Sequence, residues 1–87
     1  MSYQIRITPT ALKALRKLDK PVRRRIQTAI DGLKDAPRPP GVIALQGVPD
    51  AYRIRAGDYR IVYQVKDDQL LVLVVDLGHR REIYKNL

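Results

Sequence analysis

Along "YQIRI" (residues 3–7) apolar Tyr3, Ile5 and Ile7 alternate with Gln4 and Arg6, the period of two expected of a half-buried strand. "TP" follows. Thr8 can cap a helix, and Pro9 suits its first position because the missing N–H has no partner there. Ala11, Leu12, Leu15 and Leu18 then recur at helical spacing, with Lys13, Arg16, Lys17 and Lys20 on the other side. Pro21 closes this helix and opens the next, with Asp19 as its cap, and Val22, Ile26, Ala29, Ile30 and Leu33 make a second apolar stripe. "APRPPG" (36–41) cannot continue a helix and predicts a stiff extended linker.

Three further strands are predicted, at roughly 51–56, 59–66 and 69–77. A two-residue turn at Gly57-Asp58, with glycine supplying the positive φ, makes the pairing of the first two determinate. Arg55 falls opposite Arg60 and Arg53 opposite Val62 on one face. Ile54 meets Ile61 and Tyr52 meets Tyr63 on the other. Asp67-Asp68 makes another short polar connection, and "QLLVLVVDL" is apolar at both parities, as in a central strand covered on both sides. The order β-α-α-β-β-β predicts an α+β fold: an antiparallel sheet with the N-terminal strand and a two-helix hairpin packed on one face. Residues 1–87 are expected to form a single domain.

That register displays arginines on the open face. Like charges on adjacent strands are unfavourable, so Arg55 opposite Arg60 either holds an anion or is relieved by acids. The acids available are Asp58 or Asp68 for Arg55, and Asp76 or Glu82 for Arg60. A guanidinium's planar donor fork matches phosphate oxygens. Charge strengthens the anion reading: 17 basic residues against 9 acidic give a net charge of +8, which favours a polyanionic partner. "RRR" (23–25) opens the second helix, either as a phosphate-backbone contact or as a solvated face.

The lack of cysteine excludes disulfides and thiolate chemistry. No Walker loop, metal-ligand cluster or nucleophile triad is present, so neither metal nor cofactor is expected. The N-terminus has no apolar signal core, and the longest apolar run, Leu70 to Val75, is too short to span a bilayer. A cytoplasmic location without membrane contact is expected. In "GHRREIYKNL" (78–87), Gly78 ends the long strand. His79 there is a candidate general base or acid, its residue type titrating near neutrality, or else an ordinary hydrogen-bonded histidine. Tyr84 can stack on a base, donate to a phosphate or pack on the sheet.

The order "YRIRAGDYRIVYQV … LLVLVVDLGHRREIY" resembles the RelE/ParE superfamily of bacterial toxins from type II toxin–antitoxin pairs, with "GDYRIVY" and "GHRREIY" the most specific pieces. The RelE branch fits best. The resemblance implies a cognate, RelB-like antitoxin and metal-independent cleavage of mRNA in the ribosomal A site. It implies that Arg60 stabilises the phosphate, that Arg80 protonates or stabilises the leaving oxygen, and that Tyr84 orients the substrate. Arg53, Arg55 and Arg81 would hold RNA phosphates, and Arg23, Arg24 and Arg25 ribosomal RNA. Arg53 and Arg55 depart from the pattern, standing where that branch carries lysines. Arginine is a poor base, so His79 or a ribosomal group would take the proton. The alternatives are a ParE-like inhibitor of DNA gyrase and a non-catalytic RNA-binding module.

Overall fold

In the computed structural model, which describes residues 2–79, the chain runs β1 (Gln4–Ile7), α1 (Pro9–Arg16), α2 (Lys20–Gly32), β2 (Ile43–Ala44), β3 (Ala51–Ala56), β4 (Tyr59–Lys66) and β5 (Leu71–His79). A 3-10 turn at Asp67–Gln69 joins the last two strands. The sheet has the order β1-β5-β4-β3-β2, and α1 packs over β5 and α2 over β3. Ala11 and Leu15 of α1, Ile26 and Ile30 of α2 and the C-cap residue Leu33 meet Ile54, Ile61, Tyr63, Val65, Val72, Val74 and Leu77 in one core. The two predicted helical stripes are therefore the buried ones.

The predicted β3–β4 register is the observed one: Arg55↔Arg60, Ile54↔Ile61, Arg53↔Val62 and Tyr52↔Tyr63. Gly57 has φ +63°, which suits a two-residue hairpin turn. α2 adds a second constraint on that turn. A Cβ placed on Gly57 would lie 3.0 Å from Arg25 Nη1, so the helix side chain occupies the space that glycine leaves.

Several features differ from the sequence pattern. The sheet is mixed, because β1 joins the four antiparallel strands parallel to β5. The two-residue strand β2 follows the linker and pairs with Arg53 and Tyr52, too short to show a period. β5 is an interior strand that the described helices cover on one face, and Leu71, Leu73 and Val75 on the other parity are half-buried. It starts later than expected, because Leu70 takes a left-handed conformation at φ 49°. It also runs through Gly78 to His79, which pairs with Tyr59. Asp19 occupies the N-cap position of α2 without a side-chain cap bond.

Thr8 does cap α1, accepting from the Ala11 N–H at 3.2 Å. Its hydroxyl also donates to the Val75 carbonyl at 3.0 Å. The β4–β5 register shifts at this level, from Val62↔Asp76 to Tyr63↔Val74, leaving Val75 unpaired. A bulge frees a ladder carbonyl, and the helix start takes it.

Candidate functional site

β3 and β4 carry Arg53, Arg55 and Arg60 on the face away from the helices, since the alternate residues Ile54 and Ile61 enter the core. With Ile43 and Gly41, these arginines line a shallow concavity of about 410 Å³. Arg60 is anchored by its neighbours: Nη1 donates to the Tyr59 carbonyl at 3.2 Å and, more weakly, to Gly57 O at 3.5 Å. Arg25 reaches the same turn from α2, so guanidinium groups lie on both sides of Gly57. Arg24 is exposed and Arg23 half-buried on the same helix.

Among the described residues no acid pairs with Arg55 or Arg60. Between described residues the one ion pair is Arg38–Asp67. Arg55 and Arg60 take none of Asp58, Asp68 or Asp76 as a partner, and Glu82 lies outside the described residues. Two cations therefore face each other across a strand pair with no described acid between them, an arrangement that costs stability unless an anion is bound.

Arg38 was not legible as a structural residue. It sits in the proline-rich linker, and its guanidinium grips Asp67 with both Nη atoms, at 3.2 and 2.7 Å. Its Nε donates to Tyr52 Oη at 3.0 Å, and Tyr3 Oη donates to Asp67 at 2.6 Å. The bonds from Arg38, and then that from Tyr3, hold the Asp67 carboxyl below its ordinary pKa. The bond to Asp67 raises the pKa of Tyr3. Tyr63 Oη donates to the Pro37 carbonyl at 2.7 Å, and burial pushes its pKa up to about 12. These contacts join residues far apart in the chain, and no local pattern announces them. The linker is pinned to the sheet and holds Gly41 beside the arginines.

Residues 5–84 match the family described as the ParE toxin of the type II toxin–antitoxin system parDE. The chain belongs to this toxin family. Within the wider group its similarity runs to RelE proteins. The mRNA interferase toxin RelE of Escherichia coli K12 is 36% identical over 88 residues, covering 97% of this chain and 92% of that protein. The archaeal RelE in the RelE–RelB complex of Pyrococcus horikoshii superposes with a TM-score of 0.81 at 35% identity, covering 92% of this chain and 97% of that one. The intact RelBE toxin–antitoxin complex of E. coli gives 0.78 at 35% identity, covering 90% and 96%.

In this toxin fold the sequence-predicted residues do not all converge. Arg53, Arg55, Arg60 and Arg25 come together around the β3–β4 hairpin. His79 does not join them. It pairs with Tyr59, meets that ring edge-on at 5.6 Å, and lines a cleft with Lys13, Lys17 and Leu18 on the helix side of the sheet. Strand alternation from Leu77 puts it there, on the other face of the sheet from Arg53, Arg55 and Arg60. Gly78, not His79, is the partner of Arg60. Arg80, Arg81 and Tyr84 lie outside the described residues. Gly41 and Ile43, which line the concavity, were missed, and only the linker's path brings them there. Among the described residues no group of His, Cys, Asp and Glu could hold a metal ion, and no helix is long and apolar enough to cross a membrane.

Proposed function

We propose that this toxin is a ribosome-dependent mRNA endoribonuclease acting in the cytoplasm and neutralised by an acidic antitoxin. The observation that carries the reading is the arginine concavity on a rigid hairpin, in a chain 36% identical to an mRNA interferase over 97% of its length. In the reaction the ribose 2′-oxygen attacks the adjacent phosphorus and the bond from phosphorus to O5′ breaks. The products are a 2′,3′-cyclic phosphate and a 5′-hydroxyl. Arg60 would hold the equatorial phosphate oxygens, where charge grows in the transition state. Arg53 and Arg55 would seat flanking phosphates, with Arg81 added from the C-terminal segment. The resemblance assigns Arg80 to the leaving oxygen and Tyr84 to substrate orientation.

Among the described residues the concavity offers no base: its lining is Gly41, Ile43, Ile54 and three arginines, and guanidinium is protonated at any ordinary pH. In this reading the proton of the 2′-hydroxyl passes to a group of the ribosome or its RNA, which also bends the mRNA into line. Cleavage of translated mRNA should be far faster than cleavage of the same RNA free in solution. Equal rates on both would defeat this reading. Because the matched family is named for ParE, a DNA gyrase supercoiling assay belongs beside it. Inhibition of gyrase without mRNA cleavage would move the chain to the ParE activity, and neither effect would leave an RNA-binding module.

A further inference from the structure

A polar cluster outside the arginine concavity is tied to it by the proline-rich linker. Asp67, in the 3-10 turn between β4 and β5, accepts two bonds from Arg38 and one from Tyr3. Arg38 also donates from Nε to Tyr52 of β3, with Cζ 5.2 Å from the centre of that ring. One residue earlier, the Pro37 carbonyl accepts from the Tyr63 hydroxyl. Tyr3, Tyr52, Tyr63 and Asp67 thus converge on two consecutive linker residues. Neither Arg38 nor Asp67 is among the described residues that line the concavity.

The chain between cluster and concavity is stiff. Pro39 and Pro40 have φ fixed by their rings, and a residue before proline is kept out of the helical region, so residues 38–40 behave as a strut. The Val42 N–H then closes onto the Pro39 carbonyl at 3.1 Å, with Gly41 at φ +87° in the turn. The strut ends on β2, which pairs with Arg53 and Tyr52. The Leu45 N–H bond to Ala51 O sets the phase of that ladder, making Ile43 and Arg53 a hydrogen-bonded pair. Both residues of β2 are exposed, and so short and exposed a pairing has low local stability by itself.

We propose that Arg38 and Asp67 are positioning residues for cleavage. Their ion pair anchors the strut, and the strut holds Gly41 and Ile43 against Arg53, fixing one wall of the substrate phosphate seat. The role in cleavage rests on the function proposed above; the link from the ion pair to Arg53 does not. Global stability is a minor product of this pair, because its side chains are 38% and 57% exposed and exposed ion pairs contribute little to folding. What a guanidinium fork on a carboxylate supplies is fixed geometry.

Arg38→Ala and Asp67→Asn change the net charge in opposite directions, which separates positioning from electrostatics. Both should lower the saturating single-turnover rate on programmed ribosomes about tenfold, and the double variant should lose no more than either alone. Amide hydrogen exchange at Ile43 and Arg53 should accelerate about tenfold in each, with exchange at the core positions Ile61 and Val74 as in wild type. Tyr52→Phe, which removes only the oxygen that Arg38 Nε meets, should move both readouts the same way by a smaller factor. Cleavage rates that shift in opposite directions would make the two residues long-range charges, and unchanged exchange at Arg53 would break the link to the site. Either result overturns the proposal. So would variants that melt lower than wild type but cut at its rate well below the melt, because the pair would then be structural only. Wild-type protein that leaves ribosomal mRNA intact would defeat the nuclease reading, and exchange at Arg53 would then decide the anchoring alone.

Discussion

Arg55 and Arg60 are opposed across β3 and β4 without a described acid between them, so their retention costs stability unless an anion is bound. Arg60→Ala should leave the melting temperature unchanged or slightly raised. It should lower single-turnover cleavage on programmed ribosomes roughly a hundred- to thousandfold, the usual effect of losing one transition-state donor. A variant that melts well below wild type but cuts at the normal rate would make Arg60 a structural residue. Gly57 is a separate case. Its φ of +63° lies in the left-handed region, and Arg25 Nη1 stands 3.0 Å from where a Cβ would be. Gly57→Ala should cost about 1–2 kcal/mol in denaturant titration. A cost near zero would mean that the turn relaxes and Arg25 is not held against it. Both residues were legible in "GDYRIVYQV", because turn chemistry and a period of two are local rules. Arg25 was legible only as one of three basic residues, since the helix–turn contact is tertiary.

At the scale of elements, the linker 36–41 depends on bonds to distant strands. Tyr63→Phe removes the bond to Pro37 O and should cost about 1 kcal/mol. The Tyr63 pKa of about 12 against an ordinary 10.0 stabilises the fold fully below pH 10. That contribution is lost as pH rises toward 12, because the unfolded chain ionises first. Wild type should therefore lose stability through this window in an alkaline melt series, and Tyr63→Phe should lose less. Identical alkaline curves would show that Tyr63 is not the sensitive group. Asp67 has the opposite sign. Its pKa is lowered by Arg38, so its contribution is present above the ordinary carboxylate range and fades as pH falls below it. Asp67→Asn should flatten the acid limb of the same series.

At the scale of the molecule, the excess of positive charge should act on rate and salt dependence of ribosome binding more than on chemistry. Arg24→Ala should reduce the slope of log affinity against log salt by about one, leaving the single-turnover rate unchanged. A fall in that rate would place Arg24 in the reaction instead. The sequence by itself determined the element order, the two buried helix stripes, the hairpin register and the face on which Arg53, Arg55 and Arg60 stand. Each follows from periodicity or a turn within a few residues. Tertiary structure alone decided that β1 lies parallel to β5, that β2 stops short of Arg55, and that His79 faces α1. It also decided that Arg38 meets Asp67. Those outcomes depend on pairings between segments far apart in the chain, whose free energy comes from packing and strand alignment that no local pattern encodes.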